Sequence, residues 1–305
     1  MKSMNRRQFA QGIASTAIAA SIARTESAHA AQDTSAINPP IPLSIMLWTV
    51  WTDLPFEQRL ANVAQAGYNN VELVGEYTKW SDADYSQAIS TSKRLGIHFD
   101  ATAGLHNGVG DPGARDSFVA EFKQALMSMQ RLACPGMIVL SGNVVPGLSR
   151  EAQHQSCIEG LKRAAELIEG KQIDGQPVRL LLECIDPEEN SHCFLQSAAE
   201  AIDIARAVNH PQVQFLYDLF HEQIAEGNLI EKLDKHIDVI GLIHVADVTG
   251  RHQPGTGEIN YENIYRKLAA LNYRHAIAME FHPIGDPVAT LRAAKQMVAS
   301  AMRTA

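Results

Sequence analysis

The chain repeats one pattern along most of its length: a short apolar run is followed by an amphipathic stretch, and the pair recurs eight times from residue 41 onward. Short, continuous apolar runs are typical of buried parallel strands, and apolar residues at three- and four-residue spacing are typical of helices. The first four predicted strands are 44–50, 70–75, 97–104 and 137–143, and the last four are the runs RLLLECID, VQFLYDLFH, VIGLIHVAD and HAIAMEFHP. The predicted helices include 56–67, 115–133, 150–170, 195–208 and 260–272.

Eight β-α units in about 260 residues match a (β/α)8 TIM barrel in both count and size. A doubly wound open sheet would usually have fewer strands and a glycine-rich phosphate loop after the first one. Neither GxGxxG nor GxxxxGK[ST] occurs in the chain. The sequence therefore predicts an α/β protein that consists of a single TIM-barrel domain over residues 41–305.

The first 30 residues have the layout of a cleavable signal peptide: a cationic start, a short apolar stretch and an A-x-A sequence at 28–30. The apolar stretch is too short and too rich in Ala and Ser to remain as a membrane anchor. The segment RRQF at 6–9 resembles a twin-arginine export signal; an ordinary Sec signal and a disordered arm are the alternatives. We expect a signal peptide at 1–30, a linker at 31–40 and a periplasmic or secreted mature protein.

Charge and cysteine content limit the class of protein further. The formal net charge is -8 and the isoelectric point is about 5.8, which argues against nucleic acid as the main partner. The four cysteines are too few and too scattered for a disulfide framework, and a bridge between Cys184 and Cys193 stays open. The oligomeric state also stays open, a homo-oligomer included.

Four residues of metal-binding types lie at the ends of the last four predicted strands: Glu183, Asp218, His244 and Glu280. A single acid at a strand end usually bonds to a helix N-terminus or a lysine. An unpaired charge there is costly to desolvate, so four in succession indicate one shared cation. The carboxyl ends of barrel strands converge on one face, where these side chains would form a half-ring. Their oxygen-rich set suits Mg²⁺ or Mn²⁺, with Co²⁺ or Zn²⁺ as alternatives.

Other residues near the predicted strand ends are candidates for the same face. His106, in AGLHNGVG after the third strand, either lines the mouth of the site and contacts substrate or caps a loop. Trp48 and Trp51 either form an apolar wall over the substrate or pack at the rim. Glu72, on the second predicted strand, is a candidate for a partner behind the metal ligands.

The segments LLLECID, YDLFHEQIAEGNL, IHVADVTGRHQPGTGEINY and MEFHP resemble the corresponding segments of hydroxypyruvate isomerases, which are xylose-isomerase-like TIM barrels. The resemblance covers about residues 41–300. It implies that the four strand-end residues bind the metal, that Glu183 and Glu280 are the proton-transfer pair, and that His221 and Arg251 lie near the substrate. The export signal and the sequence ECID, where Glu-Pro-Ile-Asn is expected, depart from the family pattern.

Together these features predict a metal-dependent isomerase of a small α-hydroxycarbonyl compound, with hydroxypyruvate to tartronate semialdehyde as the specific expectation. The reaction moves a proton between adjacent carbons through an enediolate, with the metal as Lewis acid and a carboxylate on each side of the substrate. Arg251 would pair with a substrate carboxylate, and His221 either donates to a substrate oxygen or is structural. The alternatives are a ketose 3-epimerase or keto-sugar lyase on the same scaffold, and a periplasmic sugar- or metal-binding protein.

Overall fold

The computed structural model describes residues 39–303. The predicted signal peptide and the linker up to residue 38 lie outside the described residues, so the export signal stays a prediction. Over 39–303, none of the helices combines the length and the apolar character that crossing a bilayer requires.

Eight parallel strands form a closed barrel, which confirms the predicted TIM-barrel fold. Each strand pairs with its neighbours in chain order, and the last pairs with the first to close the ring. The strands are β1 Leu43–Met46, β2 Asn70–Val74, β3 His98–Ala103, β4 Gly136–Leu140, β5 Arg179–Glu183, β6 Val213–Asp218, β7 Ile240–Val245 and β8 Ala276–Met279. A short antiparallel pair, Gln172–Ile173 with Gln176–Pro177, precedes β5 outside the barrel.

Helices follow the strands and surround the barrel. They are α1 Phe56–Ala66, α2 Asp82–Leu95, α3 Arg115–Leu132, α4 Arg150–Glu166, α5 Ala198–Val208, α6 Leu219–Ala225, α7 Leu229–His236, α8 Tyr261–Ala270 and α9 Pro287–Arg303. Single 3-10 turns span Leu47–Thr49, Glu76–Lys79 and Ile237–Val239. Helix α5 begins at Ala198 rather than at residue 195, because the Ser197 side chain accepts a hydrogen bond from the Glu200 backbone N–H and caps the helix there.

The first four predicted strands all end earlier than the apolar runs suggested, two of them by three or more residues. Strand β1 ends at Met46 rather than at residue 50, because Leu47–Thr49 form a 3-10 turn in which the Thr49 hydroxyl donates to the Met46 carbonyl at 2.9 Å. Strand β4 ends at Leu140 rather than at residue 143. These corrections matter for the site, since Trp48 lies in the turn beyond β1 and not on the strand.

The barrel interior is lined by a small apolar layer that is separate from the larger core between strands and helices. Because side chains alternate between the two faces of a strand, a residue two positions beyond an inward-facing one also faces inward. Each candidate ligand stands in that relation to an interior apolar residue. The pairs are Leu181 and Glu183, Leu216 and Asp218, Leu242 and His244, and Ala278 and Glu280.

The cysteines take no part in the interior layer. All four lie within the described range, are buried and have free thiols, so Cys184 and Cys193 are not bridged. Cys184 follows Glu183 on β5 and packs in the outer core, on the opposite face of the strand. The Glu183 side chain therefore points into the barrel, while Cys184 packs between the strands and the helices.

Candidate active site

The structure brings the four strand-end residues together at the carboxyl end of the barrel. Glu183, Asp218, His244 and Glu280 are all buried, and each offers one ligand atom that lies within 4.8 Å of the others. His244 Nδ1 is 2.8 Å from Glu280 Oε2 and 3.7 Å from Glu183 Oε1. We call these four residues the carboxylate–histidine cluster.

Asp218 is fixed by the helix that it begins. It ends β6 and caps α6, and its Oδ1 accepts hydrogen bonds from the backbone N–H groups of Phe220 at 2.8 Å and His221 at 3.4 Å. The other oxygen, Oδ2, faces His221 Nε2 at 3.4 Å and Arg251 Nη2 at 3.5 Å. The cap therefore uses one oxygen and leaves the second for the cluster.

His244 lies between two carboxylates on opposite sides of its ring. While Nδ1 faces Glu280, Nε2 is 2.8 Å from Oε2 of Glu72, which is completely buried on β2. Burial by itself lowers the pKa of His244, but the charges of Glu280 and Glu72 outweigh it and raise that pKa well above 6.5. Glu72 thus contacts the candidate ligand His244 from the side away from Glu280, in the supporting position that the sequence suggested for it.

The two glutamates of the cluster have unlike surroundings. The indole Nε1 of Trp48 donates to Glu280 Oε1 at 2.8 Å, and Arg251 Nη2 is 2.8 Å from Glu280 Oε2. Although burial opposes it, the charges of His244 and Arg251 lower the pKa of Glu280. The Glu183 carboxylate accepts no hydrogen bond from residues 39–303, since its Oε1 is 3.7 Å from His244 Nδ1, and burial raises its pKa to about 8. Trp48, expected as an apolar wall or as rim packing, is also a hydrogen-bond donor.

Two of the three predicted substrate-binding residues, His221 and Arg251, border the cluster. His221 Nδ1 is 2.6 Å from Asp186 Oδ2. Burial lowers the pKa of His221, but the charge of Asp218 and the hydrogen bond with Asp186 raise it to about 9. The guanidinium of Arg251 lies over the rings of Trp48 and Phe220, with its carbon 5.4 and 5.0 Å from their centres. It also binds Glu189 Oε2 through Nη1 at 2.5 Å.

His106 is placed differently. Its side chain is 86% exposed, and its ring and backbone N–H both hydrogen-bond to Glu121 Oε1, at 2.6 and 2.7 Å. None of the contacts described for the carboxylate–histidine cluster involves it, so the structure does not join His106 to the other candidate residues. A contact between His106 and substrate stays a prediction.

Asp186 and Glu189 are site residues that the sequence did not single out. Asp186 closes the quoted segment RLLLECID, three residues beyond Glu183, and its other oxygen accepts from the backbone N–H groups of Glu188 and Glu189. The tight turn that results carries the Glu189 carboxylate to Arg251. The only sequence signal was a concentration of acids just after β5.

The residues present fit a divalent cation. Three carboxylates and one imidazole converge in a buried space, and Arg251 is the only arginine or lysine among residues 39–303 that forms an ion pair with the cluster. This set of oxygen and nitrogen ligands suits a divalent cation, whose charge would offset that of the buried carboxylates. Beside the cluster, a cavity of about 380 Å³ opens to solvent; it is lined by Trp48, Asp186, Glu188, Glu189, Phe220, Ile224, Arg251 and His282.

A closed parallel barrel with acids and a histidine at the carboxyl ends of its strands defines the class: a TIM barrel whose site is built on β5 to β8. The chain belongs to the xylose isomerase-like TIM barrel family, whose model matches residues 60–301. It is similar to the 2-oxo-tetronate isomerase of Pectobacterium atrosepticum, with 27% identity over 77% of this chain and 90% of that protein.

Two further comparisons agree with the family. The chain is 26% identical to the hydroxypyruvate isomerase of Escherichia coli over 82% of this chain and 96% of that protein. A crystal structure described as AP endonuclease, family 2, from Brucella melitensis superimposes with a TM-score of 0.73 at 24% identity, and the match covers 83% of this chain and 96% of the other. The structural likeness concerns the fold alone.

Proposed function

We propose that the protein is a metal-dependent isomerase of a short 2-oxo acid, with hydroxypyruvate to tartronate semialdehyde as its reaction. The two relatives support an isomerase of small keto acids, because one is named a 2-oxo-tetronate isomerase and the other a hydroxypyruvate isomerase. The observation that carries the proposal is the pairing of two buried glutamates, Glu183 and Glu280, in one cluster with Arg251 beside them. Such a set combines two side chains that can carry a proton with a guanidinium that can bind the carboxylate of the substrate.

Glu183, Asp218, His244 and Glu280 would hold the metal ion, and their oxygen-rich set favours Mg²⁺ or Mn²⁺. When bound, such an ion supplies Lewis-acid stabilisation of the negative charge that develops on the substrate oxygens. The protein's part is to keep the four side chains converged. It does so by anchoring three of them: the α6 cap holds Asp218, Trp48 holds Glu280 and Glu72 holds His244.

The two glutamates would transfer the proton. In hydroxypyruvate the proton leaves C3 and one returns to C2, so one carboxylate can act as the base at C3 and the other as the acid at C2. We assign the removal at C3 to Glu183, because its carboxylate accepts no hydrogen bond from the described residues and its ion pair with His244 Nδ1 is 3.7 Å long. Glu280, whose Oε1 is held by Trp48, would return the proton at C2. Because β5 and β8 are separated by two strands, the two carboxylates approach from different sides of the barrel.

Arg251 would bind the substrate carboxylate. Its partner Glu189 is 45% exposed and lies outside the carboxylate–histidine cluster, so a substrate carboxylate can replace Glu189 on the guanidinium. His221, held by Asp186, would donate from Nε2 to a substrate oxygen. The aromatic rings of Trp48 and Phe220 cover the guanidinium, and Arg251 is 8% exposed.

The test is turnover by purified protein loaded with Mn²⁺ or Mg²⁺ on hydroxypyruvate, 2-oxo-tetronate and a set of uncharged ketoses. We expect isomerisation of a 2-oxo acid, loss of activity in chelator and recovery on adding the ion. Turnover of the ketoses alone would favour a 3-epimerase instead. Binding of these compounds without turnover under any metal condition would favour a binding protein and contradict the proposal.

A further inference from the structure

We infer that Glu72 is a positioning residue that fixes which nitrogen of His244 faces the metal. The inference rests on the proposed metal centre. Glu72 lies on β2 and His244 on β7, so their 2.8 Å contact joins two strands that are not neighbours and crosses the barrel interior. Both side chains are completely buried.

Packing alone does not explain why a carboxylate occupies the position of Glu72. Its neighbours in register are Met46 on β1 and Ala101 on β3, and both belong to the apolar interior layer. Its second oxygen, Oε1, is buried and has no hydrogen-bond partner among residues 39–303. A buried carboxylate oxygen without a partner is costly, and an apolar side chain would fill the space without that cost. Compared with an apolar side chain, the carboxylate of Glu72 provides one additional interaction, the contact of its Oε2 with His244.

That contact determines the state of the imidazole ring. An ionised carboxylate accepts hydrogen bonds and cannot donate them, so His244 Nε2 donates to Glu72. A cation bound in the cluster would take the lone pair of the other nitrogen, Nδ1, while Nε2 keeps its hydrogen. Nδ1 is also the nitrogen that faces Glu280 and Glu183. Partners of this kind orient a ligating histidine and raise its basicity.

Three variants separate the hydrogen bond from charge and packing. Glu72→Leu removes the acceptor and fills the space, and Glu72→Gln keeps an acceptor oxygen without the charge. Asp100→Asn is the matched control, because Asp100 is a second acid on the adjacent strand that bonds to Ser44 at 2.7 Å and not to His244. Mn²⁺ and Zn²⁺ dissociation constants would be measured by competition with a chromogenic chelator.

We expect Glu72→Leu to weaken cation binding by about 10- to 100-fold, the usual effect of losing such a partner. Glu72→Gln and Asp100→Asn should stay within about threefold of the wild type, because the acceptor remains or is not involved. Equal affinity of Glu72→Leu and wild type would overturn the inference. So would a loss in Glu72→Gln as large as in Glu72→Leu, since charge and not the hydrogen bond would then be responsible.

A second readout does not depend on the variants folding. In Zn²⁺-loaded wild type with ¹⁵N-labelled histidine, long-range ¹H–¹⁵N spectra should show His244 protonated at Nε2 and bound through Nδ1. The opposite tautomer would overturn the inference and leave the metal centre intact. Failure of the wild type to bind any divalent cation would overturn the metal centre and this inference together.

Discussion

Cation binding should raise the thermal stability of the protein, and Asp218→Asn should remove most of that gain. Three carboxylates of the cluster are buried: Glu183 is 8% exposed, Asp218 2% and Glu280 6%. Water therefore screens their charges poorly. A divalent ion that binds among them stabilises the folded state alone. Asp218→Asn removes one ligand charge but keeps an acceptor for the α6 cap, because Asn caps helices as well as Asp does.

The magnitude follows from linkage. At a free Mn²⁺ concentration 1,000 times the dissociation constant, the folded state gains about 4 kcal/mol. In a domain of this size each kcal/mol moves Tm by about 2–4 °C, which gives a rise of about 8–16 °C. If the variant binds the ion about 100-fold more weakly, it loses about 2.7 kcal/mol of the gain, and its rise falls to about 3–6 °C.

The assay is a thermal melt followed by circular dichroism in chelator and in Mn²⁺, with Glu188→Gln as the control. Glu188 is exposed, lines the same cavity and carries the same charge, but it is not one of the four cluster residues. The control should show the full wild-type rise. A wild-type Tm that does not respond to Mn²⁺, or an equal rise in Asp218→Asn, would refute the proposed metal centre.

Three other perturbations test separate parts of the account. Arg251→Met should raise KM for hydroxypyruvate by about 10- to 150-fold, the value of a charged hydrogen bond, and an equal loss on uncharged substrates would contradict the carboxylate role. Burial and the charge of Glu72 raise the pKa of Asp100 from 3.8 to about 7, so the folded state retains a proton that the unfolded chain loses and this group makes the protein less stable as pH rises from about 4 to 7. Asp100→Asn should therefore flatten the pH dependence of the free energy of unfolding in that range, and an unchanged slope would count against the shift. For the proposed export, changing both arginines of RRQF at 6–9 to lysine should leave the precursor in the cytoplasm in cell fractionation, whereas undisturbed export would argue against a twin-arginine signal.

The fold and the convergence of the cluster were predictable because both follow from local periodicity. Continuous apolar runs marked the eight strands, and the period of two placed Glu183 and Asp218 on the same inward face as Leu181 and Leu216. The parallel barrel then brings strand ends together whatever the details of the loops. Even so, β1 was predicted too long, because the residues of its 3-10 turn are as apolar as those of the strand.

The contacts around the cluster were not predictable, because they depend on loop conformation. Trp48 donates to Glu280 across a separation of 232 residues, and only the 3-10 turn after β1 orients the indole for that bond. Similarly, the turn at Asp186 positions the Glu189 carboxylate for its contact with Arg251. The contact of the His106 ring with a helix residue, Glu121, likewise had no signal in the sequence.

The most direct test of the central claim is exchange of substrate hydrogen with solvent, followed by proton NMR in D₂O with Mg²⁺-loaded protein and hydroxypyruvate. If Glu183 and Glu280 carry the proton, the wild type should incorporate deuterium at the carbon that is reprotonated, and Glu183→Gln and Glu280→Gln should each lose that exchange. Glu188→Gln should exchange like the wild type. Exchange that persists in either cluster variant, or that never occurs in the loaded wild type, would contradict the assignment of these glutamates as the proton-transfer pair.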